Sequence, residues 1–301
     1  MTIRDDSSVT VKQDAKRRII TYLIAVFALS TPFYIVSIVA NSSPDGASSG
    51  LGDLAILGLM WMPAVAALVT TLIAQRNIRG LGWAPGKIKY LVLGYLLPIV
   101  YAGIAYGIVW VTGLGAYDGT AAAEKGGLAP FLANALTLGV LQAALLALGE
   151  EIGWRGLLVP QMARITTFSR TALITGLIWG LWHVPLILFG NYNAGTPWWF
   201  ALLCFTVLIV GMNFAFTWLR LASGSIWPTV VMHASHNLII QGVFDKLTAD
   251  TGNTAFFTTE FGAMLAILGI VVAIVFARLP LPGGKRLGSR VDKSSVRAQA
   301  G

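Results

Sequence analysis

Charge is what this 301-residue sequence has least of: only 11% of its residues are Asp, Glu, Lys or Arg, against a hydrophobic share of 56%. Soluble domains carry about 25% charged residues, because charged groups must cover a water-facing surface. With 21 basic and 13 acidic residues the chain has too few to coat a soluble fold of this length, which excludes the ordinary soluble and disordered classes. Cysteine is nearly absent. Cys204 is the only one and lies in an apolar run, so no internal disulfide and no cysteine-based zinc site can form, and it reads as a small core residue. There is no Gly-rich phosphate loop and no HExxH. The alternating ten-residue pattern of a membrane barrel is missing, as is any short internal repeat.

What is there is a series of long apolar runs. A helix needs about 20 residues to cross the hydrocarbon, and lipid leaves no partner for the backbone of a lone strand. Eight runs meet that length: 19–41, 53–75, 90–113, 128–150, 171–190, 197–219, 225–244 and 259–279. The spacing therefore predicts an all-α polytopic membrane protein, a bundle of about eight transmembrane helices. The first run follows Lys16, Arg17 and Arg18 and is too long for the apolar part of a cleaved signal, so it reads as an uncleaved anchor.

A net charge of +8 would suggest a nucleic-acid partner in a soluble chain; here its placement excludes one. With both termini in the cytoplasm and eight spans threaded, 19 of the 21 basic residues fall on the inner side. The outer loops keep only Lys125 and Lys246, together with seven of the 13 acids: Asp45, Asp53, Asp118, Glu124, Asp245, Asp250 and Glu260. This is the positive-inside pattern, and one span more or fewer would spoil it. The chain divides into a cytoplasmic tail (1–18), three helices (19–127), a core (128–244), an outer loop with the last helix (245–280) and a basic cytoplasmic tail (281–301). Residues 1–15 and 284–301 are expected to be poorly ordered. The lipid bilayer is one partner, and the oligomeric state is not readable.

Against this apolar background a few polar residues stand out. All three histidines, His183, His233 and His236, lie inside apolar runs, and Glu150 and Glu151 close the fourth. Ionisable groups at membrane depth usually face a cavity and do a job. Taking Arg164, Arg170 and Arg220 as marks of the cytoplasmic surface, Glu150, His183 and His233 lie 13 or 14 residues inward, about 20 Å at a helical rise. Matched depth on three helices predicts one polar cavity reached from the cytoplasm. Glu151 and Arg155 are i, i+4 in the favourable order and read as an ion pair, which leaves Glu150 as a candidate general base. His233 and Asn237 share a face at i, i+4, and His236 borders it in a role that spacing does not define. Trp179 sits one turn before His183; Trp182, Trp198, Trp199 and Trp227 read as packing or interface residues, and Asn213 as an interhelical hydrogen bonder. A proton relay in a transporter, or a catalytically silent membrane scaffold, would use the same residues.

The segments EEIGWRG, WGLWH and HASHN, in this order and on separate helices, resemble the CPBP intramembrane protease family, which includes type II CAAX prenyl endopeptidases and Abi-type, bacteriocin-immunity-associated proteins. The resemblance covers roughly residues 128–242, with Trp179 where phenylalanine is usual. It implies an intramembrane endopeptidase acting on a membrane-anchored or C-terminal, CAAX-like peptide. In it Glu150 activates water, His183 helps hold that water, His233 and Asn237 stabilise the oxyanion, and Glu151 with Arg155 supports them. Two cofactor states stay open: no metal, or a single zinc held by Glu150, His183 and His233 with an open fourth position.

Overall fold

The computed structural model describes residues 3–41, 49–190 and 192–282, and about four in five of them are helical. Eight helical runs follow one another. They are α1 (Ile3–Asn41), α2 (Ser49–Gln75), α3 (Ile88–Thr112), α4 (Leu128–Ile165), α5 (Phe168–Phe189), α6 (Trp198–Ser223), α7 (Trp227–Asn237, continued by a π-helical turn to Phe244) and α8 (Ala263–Arg278). The only strands among the described residues are Ala116–Tyr117 and Thr248–Ala249, an antiparallel pair with Ala116 opposite Ala249. The protein is an all-α polytopic membrane protein. Six of its helices, α1 to α6, are long and apolar enough to cross a membrane. The other two fall short for physical reasons: α7 carries His233, Ser235, His236, Asn237 and Gln241, and α8 has 16 residues.

Two boundaries differ from expectation. Helix α1 begins at Ile3, inside the stretch expected to lack order; further along it Asp14 pairs with Arg18 at 2.8 Å, and Arg18 donates to Gln75 on α2 at 2.8 Å. The fourth run does not end at the glutamates. It continues to Ile165, because a π-helical turn over Ile152–Leu158 carries the backbone past them, so Glu150 and Glu151 stand mid-helix. Arg220, taken as a boundary residue, is buried within the protein, with Nε donating to the Arg155 carbonyl at 2.8 Å and Nη2 to the Gly80 carbonyl at 3.4 Å. Residues 284–301 lie outside the described residues.

Helix α1 packs on α2, α5 on α6, α6 on α8 and α3 on α7, while the middle of α4 lies between α2 and α7. Close approach depends on small residues. A Cβ at Gly211 of α6 would strike the backbone of Gly269 in α8, and one at Gly153 would stand 2.5 Å from the Tyr22 hydroxyl and 2.6 Å from the Pro63 carbonyl. Without an apolar driving force between helices in lipid, such contact is what holds them together. Side chains such as Ile24, Leu141, Leu181 and Val111 point outward, as lipid-facing surface requires.

Candidate functional site

The polar residues of α4, α5 and α7 meet around Trp179. Its indole N–H donates to Glu150 Oε2 at 2.8 Å, and the N–H of Trp154, one turn after Glu150, reaches the same oxygen at 3.3 Å. Both bonds go to Oε2, which leaves Oε1 of this buried carboxylate without a hydrogen bond to a described residue. The rings of His233 and His183 lie 5.4 and 6.0 Å from the Trp179 ring. His183 Nδ1 meets the Trp179 carbonyl at 2.9 Å, which fixes the imidazole and turns Nε2 the other way.

Beside Glu150 stands a second carboxylate, paired through Oε1, while its buried Oε2 has no partner among the described residues. Glu151 Oε1 accepts from Arg155 Nη1 at 2.6 Å and faces His233 Nδ1 at 2.9 Å. Arg155 gives Nη2 to Asn213 at 2.9 Å, and its guanidinium lies 4.0 Å from the rings of both Trp179 and Phe216. Asn213 donates in turn to the Ala172 carbonyl and to Thr175, so α4, α5 and α6 are hydrogen-bonded to one another here, as its sequence position suggested. Burying charge costs several kcal/mol unless it is paired and hydrogen-bonded; the Arg155–Glu151 pair supplies the pairing, although Glu151 Oε2 and Arg155 Nε stay without a hydrogen bond.

The structure thus gathers Glu150, Glu151, Arg155, His183 and His233 in one neighbourhood. Asn237 shares the α7 face of His233 and is half-buried, with no side-chain hydrogen bond to a described residue. No three His, Cys, Asp or Glu side chains converge as metal ligands among the described residues, and Glu150 Oε2 already accepts two indole N–H groups. Cys204 is buried and free.

Sequence reasoning missed Trp154, although a tryptophan four residues after Glu150 on one helix was a readable signal. It also missed a second polar cluster. Glu260 Oε1 meets His236 Nε2 at 2.9 Å; its Oε2 accepts from Tyr192 and Gln241, each at 2.9 Å. The other nitrogen of His236 meets the Tyr101 hydroxyl, which gives this histidine a structural role. Nearby, Tyr106 donates to Asp245. A cavity of about 240 Å³ borders Tyr192, Gln241, Asp245, Thr259 and Glu260, at the end of α5 away from Arg170.

Residues 132–239, which hold every motif residue from Glu150 to Asn237, match the family model described as type II CAAX prenyl endopeptidase Rce1-like. This segment is similar to the CPBP family. A relative named CAAX prenyl protease 2, from Methanococcus maripaludis, is 31% identical over 96 residues, which is 30% of this chain and 34% of the relative. The chain thus spans about a third of the length of the curated relative it matches. The CPBP match lies within the core and leaves α1 to α3 and α8 outside it.

The outer cluster also makes a pH prediction. Burial, helped by the Glu260 charge, pushes the Asp245 carboxyl up to about 6 in spite of the Tyr106 hydrogen bond and the opposing charge of Lys246. Its folded value lies above its ordinary 3.8, so its contribution to stability is full below 3.8 and lost as pH rises through about 6. For Glu260 burial acts upward, but the hydrogen bonds from His236, Tyr192 and Gln241 outweigh it and hold the carboxyl down to about 2. Its contribution is full above the ordinary 4.5 and is lost only as pH falls through about 2. Between 4.5 and 7 Glu260 therefore adds no slope to that of Asp245, and comparison with Asp245→Asn isolates the Asp245 contribution. Thermal unfolding in detergent across that range should show the wild type losing stability, relative to Asp245→Asn, as pH rises. Parallel curves for the two proteins would refute this.

Proposed function

We propose that the chain is an intramembrane endopeptidase that hydrolyses a peptide bond of a membrane-associated, CAAX-like substrate with a water activated by Glu150. The observation that carries this reading is the state of Glu150: a buried carboxylate with one oxygen held by two indole N–H groups and the other unengaged, beside His183 and a neutralised Glu151. The CPBP match and the name of the methanogen relative support the reaction class and suggest the substrate class.

In the proposed reaction Glu150 Oε1 takes a proton from a water that His183 helps to orient. The resulting hydroxide adds to the carbonyl carbon of the scissile amide, and His233 and Asn237 donate to the oxyanion that forms. Collapse breaks the C–N bond, and the proton on Glu150 passes to the leaving nitrogen. Glu151 and Arg155 keep His233 and Trp179 in place, and no step runs through a metal. The termini are assigned to the cytoplasm by the loop charges alone.

The test is a comparison of membrane-anchored peptides in cells carrying the wild-type chain or Glu150→Ala at equal amounts of folded protein. Peptides shortened only in the wild type identify the substrate; identical sets defeat the proposal, and proton-coupled solute flux in liposomes would replace it with a transporter. Cleavage by the purified protein should persist after treatment with a zinc chelator. Loss of cleavage that zinc alone restores would overturn the metal-free mechanism.

A further inference from the structure

We propose that Glu260 is a positioning residue for His183, acting through Tyr192. The inference rests on the reading of His183 as part of the reaction site. Glu260 lies just before α8, outside the matched segment. Three donor groups from separate parts of the chain converge on its carboxylate: His236 on α7, Gln241 on the following π-helical turn, and Tyr192 in the connection between α5 and α6. Of these, Tyr192 looks toward the reaction site. Its ring is stacked on His183, with centroids 6.2 Å apart and planes 26° from parallel.

The other ring contacts of Tyr192 are with Phe205 at 6.0 Å and Phe261 at 5.0 Å, and its backbone N–H donates to the Leu186 carbonyl at 3.2 Å. These aromatic contacts would tolerate sliding of the ring, because they are non-directional at this level. The hydroxyl bond to Glu260 is directional, and a charge-assisted bond is roughly twice as strong as a neutral one. It fixes where along the His183 face the tyrosine sits. On its other sides His183 is bounded by Trp182 at 4.8 Å and Phe205 at 5.0 Å, with Nδ1 on the Trp179 carbonyl. Tyr192 is the one neighbour of this ring whose own position depends on a carboxylate from beyond the CPBP segment.

A filler residue would not need this chemistry. An apolar side chain at 260 could pack against the aromatic rings without the cost of burying a carboxylate. His236 lies three residues after His233 on α7, so the same carboxylate also holds the helix that presents the second histidine of the site.

The test needs no substrate. The chain has three histidines, so diethyl pyrocarbonate labelling of the full-length protein in detergent, resolved by peptide mass spectrometry, reads each of them. Tyr192→Phe keeps the ring and removes the bond to Glu260. His183 should then label at least about threefold faster, while His233, held by Glu151, keeps its rate. Glu260→Gln should move His183 in the same direction. An unchanged His183 rate in Tyr192→Phe overturns the proposal, and so does an equal rise at all three histidines, which would mean general loosening. Absence of cleavage on every substrate would sink the endopeptidase reading and leave this labelling result standing, so the two failures are distinguishable.

Discussion

Glu150→Gln should lower the rate of peptide cleavage about 10²–10⁴-fold, the range that a positioned general base contributes. The substitution keeps the shape of the side chain, and its amide oxygen can still accept the indole N–H groups of Trp154 and Trp179. Stability should therefore hold while the proton acceptor is lost. The carboxylate is not paired with Arg155, whose guanidinium serves Glu151 and Asn213, so no buried cation is left without a partner. His183→Ala should fall in the same range, because a base without an oriented water gains little from its position. Rates on an internally quenched CAAX-type peptide in proteoliposomes, normalised to folded protein, measure both. A Glu150→Gln rate within about fivefold of wild type would remove Glu150 from the chemistry.

How much of this could be read from the sequence depends on how far each interaction reaches. Apolar length alone marks the helices, because lipid allows little else, and the charge pattern supports their number. The Glu151–Arg155 pair is visible because i, i+4 spacing is a property of one helix. Asn213 is visible as a polar residue that must find a partner inside a bundle. The bond from His233 to Glu151 spans 82 residues, and only the packing of α7 against α4 creates it. Glu260 was even less visible. In sequence it is one acid among seven on the outer side; in the fold it meets His236, Tyr192 and Gln241. One boundary error has a physical cause. The glutamates and Arg155 lower hydropathy as a loop does, so the fourth run seemed to stop there. In the structure a π-helical turn continues through Arg155, and Arg220 spends its Nε on that residue's carbonyl.

Arg155→Leu should destabilise the folded protein by about 3–5 kcal/mol, the usual consequence of removing one member of a buried ion pair. The loss has two parts. Glu151 would keep only His233 as a cationic partner in a fully buried position. Trp179 and Phe216 would also lose the guanidinium that lies 4.0 Å from each ring, so the cleft between them would close or shift. Lysine is a poor substitute, because its ammonium cannot fill a planar slot and still reach both Glu151 and Asn213. The double variant Glu151→Leu/Arg155→Leu separates the two parts. It removes the unpaired charge, so it should recover much of the stability lost in either single variant, and this non-additivity is what a true pair predicts. It should not recover cleavage, because Trp179 still lacks its support and with it the donor that fixes Glu150 Oε2. Thermal unfolding in detergent and cleavage rates on the same preparations give both quantities. Additive stability losses would show that Arg155 acts mainly through its aromatic contacts, and full cleavage in the double variant would remove the pair from the proposed support of the site.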